Sequence, residues 1–432
     1  MTMFSTSSQV KGVRLPWSGL LALSCAAFTA VMTELLPAGL LPAMAPPLGV
    51  AESRIGFLVT AYAAASFAAA VPVTAALRGL PRRLVLSGAL LGFAVSNALV
   101  ALSSSYPLTF AARLLAGAMG GTLWAMLAGY AARMVPAERR GRAIAVVLAG
   151  ITLALSLGVP AGTALAGAVG WRAAFGTLAA LAVLLVGWVR LSVPAFPGEP
   201  AHARVPLTRV ARRPGIRPVL SVTLFLLLGH QVMYTYIAPF AAQVGYGRTG
   251  LLLAVFGTAT VAGIWLTGVL IDRWPRRTLL VALALFAGVL PVLGLGAGAH
   301  ALLVGAVAVW GMAFGGAPTL IQTALVDASG PADADVATSL QTTVYNAGIA
   351  AGSLTGGVAL DSLGVGALPW TALAPAVLAL ATVTAGRRYA FPAVRRGGAP
   401  EAGPSAEPGA VAVPCAAGDH VVRRSVRDGE RL

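Results

Sequence analysis

Leu80-Pro81-Arg82-Arg83 returns 194 residues later as Trp274-Pro275-Arg276-Arg277. The same shift carries Gly117 and Gly121 onto Gly311 and Gly315, and Gly158 and Gly162 onto Gly352 and Gly356. With 51 glycines in the chain any single match is cheap, but three pairs of elements in one register are not. The chain is built from two copies of one unit. Of its 432 residues, 58% are hydrophobic and only 10% are Asp, Glu, Lys or Arg, against about 25% charged in an ordinary soluble protein. So few charges cannot cover a water-facing surface, which excludes a large soluble enzyme.

Apolar segments run over 17–45, 55–77, 84–103, 107–132, 143–166 and 172–194, then 217–242, 249–271, 278–298, 301–326, 336–360 and 367–386. At about 20 apolar residues per crossing these predict twelve transmembrane helices, six in each copy. Because six is even, both copies run the same way through the bilayer, as a parallel repeat about an axis along the membrane normal. The expected fold is an all-α polytopic membrane protein of two six-helix bundles, 17–194 and 217–388. Between them, 195–216 carries Pro197, Pro200, Pro206, Arg204, Arg209, Arg212 and Arg213 and reads as a linker. Residues 1–16 form a short leading segment, and 389–432, rich in Pro, Gly, Ala and mixed charge, reads as a disordered tail. The first apolar segment is too long for the core of a cleaved leader and is followed by Pro46, so it reads as a span.

The net charge of +16 invites a nucleic-acid reading, but the placement of the charges argues against it. Apart from Lys11 every basic residue is Arg, and they cluster at the ends of apolar segments and in alternate loops. With the N-terminus inside, the inner loops and helix ends hold 20 of them without the tail, while the outer loops hold Arg54, Arg172 and Arg248. That asymmetry fixes orientation, with both termini cytoplasmic, in what is expected to be a bacterial plasma membrane. Cys25 and Cys415 make neither a disulfide framework nor a metal set. His202, His230, His300 and His420 lack metal-ligand spacing, and no phosphate-binding Gly-x-x-x-x-Gly-Lys-Ser/Thr occurs. No cofactor, metal, catalytic set or ATP-driven step is expected.

Three further patterns resemble the major facilitator superfamily, over roughly residues 17–388. The loop pattern Gly-x-x-x-Asp-Arg-x-x-Arg-Arg stands as Gly268, Asp272, Arg273, Arg276 and Arg277; its first-half counterpart has Thr74 for the glycine and Arg78 for the acid. Arg113 and Gly117, with Gly120 and Gly121, match the helix 4 pattern. Gly158-Val159-Pro160-Ala161-Gly162 is a shifted form of the helix 5 antiporter pattern. Within the superfamily the chain is most similar to the twelve-helix drug:proton antiporters of arabinose-efflux-like and chloramphenicol-resistance-like type. The residues responsible are Thr33-Glu34-Leu35-Leu36-Pro37 through Pro42, Gly229-His230 with Tyr234-Thr235-Tyr236, Trp310-Gly311 with Phe314 to Pro318 and Gln322, and Asn346-Ala347-Gly348.

A charge inside the membrane costs several kcal/mol unless paired or hydrated, so each one is a candidate. Glu34 and Arg113 both fall in the outer half of their segments. Burial disfavours a carboxylate and a neighbouring guanidinium favours it, so an acid between the two can take up and lose a proton. Glu34 is the expected proton carrier, with Arg113 discharging it; a permanent structural ion pair is the competing reading. His230, Gln231, Tyr234, Tyr236, Gln322 and Asn346 offer aromatic and polar groups to an apolar substrate cavity. Asp272, Arg273, Arg276 and Arg277 read as a charge lock at a cytoplasmic helix end. Gly158, Pro160 and Gly162 read as a smooth helix face, either for static close packing between helices or for a sliding contact between the halves.

The resemblance implies alternating access by a monomer whose partners are protons, a small-molecule substrate and the bilayer. Proton-driven efflux is the leading expectation. A nutrient symporter of the same fold, and more remotely a non-transporting receptor or scaffold, are the other readings. The substrate itself is not legible in the sequence.

Overall fold

The structure is a computed structural model that describes residues 15–70, 72–77, 79–136, 139–198, 212–296, 299–330, 334–386 and 390–391. All but the last two residues of the expected leading segment, the centre of the linker, and all of the expected tail except Ala390 and Phe391 lie outside the described residues. Among those described no strand occurs. Twelve long helices follow one another. They are α1 (Trp17–Leu35), α2 (Glu52–Ala70), α3 (Arg82–Leu102), α4 (Tyr106–Arg133), α5 (Arg140–Val169) and α6 (Trp171–Ser192). The second set is α7 (Ile216–Thr235), α8 (Thr249–Leu270), α9 (Pro275–Gly296), α10 (His300–Ser329), α11 (Ala334–Leu363) and α12 (Leu368–Ala385). Ten of the described helices are long and apolar enough to cross a membrane; α2 and α11 complete the twelve. These two, which carry Glu52, Arg54 and Asp361, pack against each other where the halves meet, so less of their surface has to be apolar.

The repeat holds in three dimensions. In the first half α1 packs on α5, α2 on α4 and α3 on α6; in the second α7 packs on α11, α8 on α10 and α9 on α12. The register of the sequence repeat is kept to the residue. A Cβ on Gly117 would strike the Tyr62 carbonyl, and one on Gly311 the carbonyl of Phe256, its equivalent in the repeat. Likewise a Cβ on Gly121 meets the Ser66 carbonyl oxygen at 2.6 Å, and one on Gly315 the carbonyl of the equivalent Thr260. These glycines let α4 and α10 lie backbone to backbone on α2 and α8.

Two expected segments are broken. The first does not run as a helix to residue 45: α1 stops at Leu35, and the chain continues in short turns, Leu36–Gly39, Leu41–Met44 and Pro46–Leu48. Pro37, Pro42, Pro46 and Pro47 each lack the N–H that a continuing helix needs. The turns stay apolar because protein, not water, covers most of them: Leu36, Pro37, Ala38, Gly39, Leu41 and Met44 are buried. In the same way α7 ends at Thr235, and Ile237–Gln243 resumes after Tyr236. Inside α5, Ala154–Gly158 is a π-turn immediately before Pro160, which cannot donate to the helix ladder.

One end of the bundle carries Arg82, Arg83, Arg139, Arg140, Arg190, Arg273, Arg276 and Arg277, and the other is nearly free of basic residues. At the arginine-rich end each half fixes a helix end with an arginine, from adjacent rather than equivalent positions of the repeat. Arg83 donates to the carbonyls of Arg190 (3.2 Å) and Val193 (3.4 Å) at the end of α6, and Arg276 donates to Thr384 (3.2 Å) and Val383 (3.4 Å) at the end of α12. A cation on the last carbonyls of a helix suits the negative end of its dipole. At the far end the two halves meet. The Leu36–Gly39 turn packs on α7 and α8, and Tyr236 stands where a Cβ on Gly56 of α2 or Gly357 of α11 would lie.

Candidate functional site

Thr33 is the residue whose helical hydrogen bond Pro37 removes: its carbonyl would accept from the N–H four residues on, and Pro37 has none. Arg113 supplies the missing donors. Its guanidinium donates to the Thr33 carbonyl in a short contact, to the Glu34 carbonyl at 3.0 Å and, through Nε, to Leu58 of α2 at 3.2 Å. It lies 4.9 Å from the centre of the Tyr62 ring, a cation–π contact. Asn97 of α3 donates to the Thr33 hydroxyl at 2.9 Å. Residues from α1, α2, α3 and α4 thus converge on the break in α1, and Arg113 is 1% exposed, as deep as any apolar core residue.

Glu34 and Arg113 are brought together, but not as a carboxylate–guanidinium fork. Arg113 holds the main chain of Glu34, while the Glu34 Oε1 is buried with no hydrogen-bond partner. The hydroxyls of Tyr62 and of Tyr345, across the halves on α11, lie within electrostatic reach of the acid. An ionised carboxylate left without a hydrogen-bond partner in such a place is costly. Sequence reasoning singled out Glu34 and Arg113 and missed Tyr62, Asn97, Thr33 and Tyr345.

The second half holds a cluster of a different kind. His230 and Tyr234, one turn apart on α7, meet Phe256 of α8 and Trp310 and Phe314 of α10. His230 and Phe314 stack face to face with centroids 3.6 Å apart and planes 9° apart. The Trp310 indole donates to His230 Nδ1 at 3.2 Å. Since that nitrogen accepts, the imidazole is neutral with its proton on Nε2. Phe256 and Trp310 meet edge to face at 5.0 Å. All five side chains are buried.

The remaining expected cavity residues fall elsewhere. Gln231 donates to Thr235 (3.0 Å), Thr235 shares a hydrogen bond with Ser353 (2.9 Å), and the Tyr236 hydroxyl donates to the Ser353 carbonyl (2.8 Å), which ties α7 to α11. Asn346 donates to the Thr342 carbonyl of its own helix at 3.0 Å. Gln322 is exposed on α10, two turns beyond Phe314, and the structure does not bring it to the cluster.

A family model described as Major Facilitator Superfamily matches residues 23–353, with a second match over 247–426. The chain belongs to the major facilitator superfamily. Among curated proteins it is 30% identical over 356 residues to the purine ribonucleoside efflux pump NepI of Escherichia coli strain K12, covering 81% of this chain and 89% of that one. The NepI of Shigella flexneri matches to the same extent, 30% over 356 residues. Solved structures share the fold at lower identity. A D-xylose–proton symporter superposes with a TM-score of 0.69 at 16% identity, covering 88% of this chain and 99% of that one. A bacterial homologue of the human lysosomal transporter Spinster, inward-facing and occupied, gives 0.65 at 16% identity, covering 86% and 96%. The molecule is a multi-pass membrane transporter and not an enzyme.

Of the two readings open for the helix 5 glycines, the structure shows close packing within one half. Gly158 and Gly162 face α1. A Cβ on Gly158 would meet Met32 Sδ (2.5 Å) and Phe28 (2.9 Å), and one on Gly162 would meet Leu36 (2.8 Å), all from the first half. The close approach between halves belongs to Gly257 of α8, whose Cβ would overlap the Leu155 carbonyl and lie 2.7 Å from the Ser156 Cα in the π-turn of α5. Pro160 does take part, its carbonyl 3.8 Å from where a Cβ on Gly250 would stand. Of the loop residues, Asp272, Arg273 and Arg277 are exposed at the arginine-rich end, while Arg276 is half-buried against the end of α12.

Proposed function

We propose that this transporter exports small molecules of the purine ribonucleoside class in exchange for protons, by rocking of its two halves about a site near the middle of the bilayer. The arginine-rich end is the cytoplasmic face, as the bias of basic residues requires, with both termini inside a bacterial plasma membrane. Export and substrate class are supported by the likeness to NepI, described as a purine ribonucleoside efflux pump and matched over 89% of its length. Proton coupling is supported by one observation above all: Glu34 Oε1, buried without a partner at the break in α1. Glu34 carries the proton, and Arg113 faces the charge left when the proton departs. The rings of His230, Tyr234, Trp310 and Phe314, with the imidazole and phenol hydrogen-bonding groups, suit a flat heterocycle bearing a ribose. Asp272 with its arginines sets the balance between conformations at the cytoplasmic end.

Inside-out vesicles loaded by a proton gradient, acid inside, test the reading. Labelled inosine accumulates in wild-type vesicles and leaks out when the gradient is collapsed. Glu34→Gln abolishes accumulation without lowering the amount of protein in the membrane. Accumulation that survives both Glu34→Gln and collapse of the gradient overturns proton coupling. Counterflow of labelled inosine in oriented vesicles separates export from uptake.

A further inference from the structure

The two halves share a backbone and differ in what they leave unsatisfied. At the α2–α4 contact, Tyr62 and Ser66 lie one turn apart on α2, against Gly117, Gly120 and Gly121 of α4. A Cβ on Gly120 would strike the Tyr62 hydroxyl, and one on Gly121 would lie 3.2 Å from the Ser66 hydroxyl. Both hydroxyls are buried, and neither has a hydrogen-bond partner. Ser53, Thr60 and Ser87 of the same half also have buried hydroxyls without a partner, whereas Thr29, Thr109, Thr122, Ser156 and Thr223 all donate to the carbonyl four residues before them. The second half supplies the comparison. At the 194-residue offset Tyr62 becomes Phe256, with no hydroxyl, and Arg113 becomes Val307. Ser66 becomes Thr260, whose hydroxyl reaches the carbonyls of Phe256 (2.8 Å) and Gly311 (3.2 Å). The same backbone contact therefore exists with every group satisfied. Unpartnered polar groups are found in the copy that holds Glu34, whose Oε1 is itself without a partner, as is Asn97 Oδ1. Buried polar atoms of this kind are served by ordered water or by a mobile proton.

We propose that Tyr62 and Ser66 form a proton relay between Glu34 and the arginine-rich end, running down the α2–α4 seam through single ordered waters; this rests on the assignment of Glu34 as proton carrier. Four residues of helix advance the path by about 6 Å toward that end. Glu34 gives its proton to a lone pair of the next oxygen as that group passes its own proton onward. Tyr62 and then Ser66 do the same, so each hydroxyl ends as it began. One proton has moved, and the carboxylate left behind faces Arg113. Among the described residues the ionisable groups within reach of the acid are Arg113 from α4, Tyr62 from α2 and Tyr345 from α11. Tyr62 is a positioning and relaying residue, distinct from the carrier itself.

Infrared difference spectroscopy of the full chain in lipid, triggered by a pH step, reads the relay without needing a substrate. The Glu34 carboxyl band is assigned by its loss in Glu34→Gln. In Tyr62→Phe and, separately, Ser66→Ala, proton uptake at that band slows about tenfold or more, and its H2O/D2O rate ratio changes. The melting temperature, and exchange of labelled inosine at equal pH on both sides, are kept. An unchanged rate and isotope ratio in both variants overturns the relay while leaving Glu34 as carrier. A wild-type carboxyl band indifferent to pH overturns both. Should Tyr62→Phe destabilise the fold, Ser66→Ala decides alone, because it removes one small buried oxygen.

Discussion

Replacing Gly257 with alanine tests where the halves meet. Its new methyl group would overlap the Leu155 carbonyl and come within 2.7 Å of the Ser156 Cα, both main-chain atoms of the opposite half. A side chain can swing aside, but a π-turn held on both flanks cannot, so α5 and α8 must separate. Overpacking of this kind costs about 1–3 kcal/mol. The cost falls only on conformations in which the far end is closed, because the contact vanishes when the halves part. The ratio of closed to open molecules therefore falls by about 5- to 160-fold. Gly158→Ala is the matched control: its methyl would press on Met32 and Phe28 of the same half, strain present in every conformation. Both substitutions lower the melting temperature, but only the first shifts the equilibrium. With Cys25 and Cys415 replaced by serine, a reporter cysteine is placed at Leu253, which is buried against the Gly39 turn. Its labelling by a membrane-impermeant maleimide reads far-end opening. Labelling rises in the Gly257→Ala background and stays at the starting rate with Gly158→Ala. Equal labelling in the two backgrounds refutes the assignment of Gly257 to the moving contact.

The remaining outcomes concern buried hydrogen bonds. Lysine at Arg113 keeps the charge but cannot reach the carbonyls of Thr33, Glu34 and Leu58 together, and each lost charged hydrogen bond costs about 1.5–3 kcal/mol. Hydrogen exchange at Leu35 to Ala38 quickens accordingly. Because Pro37→Ala returns a donor to the Thr33 carbonyl, the double variant loses less stability than the two single losses combined, a coupling that a double-mutant cycle measures. Trp310→Phe takes the donor from His230 Nδ1 for a loss of about 0.5–1.5 kcal/mol, and nitrogen NMR of the labelled histidine shows the tautomer balance shifting away from Nε2–H.

The helices, their number and the repeat were legible because each rests on a property of the chain itself: runs of apolar residues, prolines and a constant offset. The breaks were less so. Residues 17–45 read as one apolar segment because the turns after Leu35 are covered by protein, which demands the same apolar composition as a span. The further partners of Arg113, the carbonyls of Thr33 and Leu58, went unread for a related reason. A charge in a membrane suggests an opposite charge, yet a proline four residues after Thr33 had already created an acceptor in want of a donor. That signal was available. Which way Gly158 or Gly257 faces was not, since a glycine carries no side chain whose polarity marks a surface. Tyr62 was available too, as the one hydroxyl-bearing aromatic set against Phe256 at the repeat offset, once the repeat is searched for differences as well as matches.

The difference between the halves bears on how a proton can move a transporter. Polar, unsatisfied groups gather in the first half and stacked aromatic rings in the second, so no residue of one cluster is simply exchanged for a residue of the other. On the proton coupling proposed above, the link between the clusters has to cross the boundary mechanically. The shortest route begins at Glu34 itself. Five residues beyond it, Gly39 stands between Thr163 of its own half (2.5 Å from a Cβ there) and Leu253 of the other (3.2 Å). The turn that joins them, Leu36–Gly39, packs on α7, the helix that carries His230 and Tyr234. Arg113 grips the root of this turn by its carbonyls and, on the reading proposed above, answers to the charge on Glu34. When the carboxyl loses its proton, the guanidinium is drawn between the carboxylate and the Thr33 and Glu34 carbonyls. Any donor it withdraws loosens the turn that seals the far end. A helix broken by Pro37 and mended by a cation is thus a better lever than an unbroken one, because its mend can be undone by a single charge.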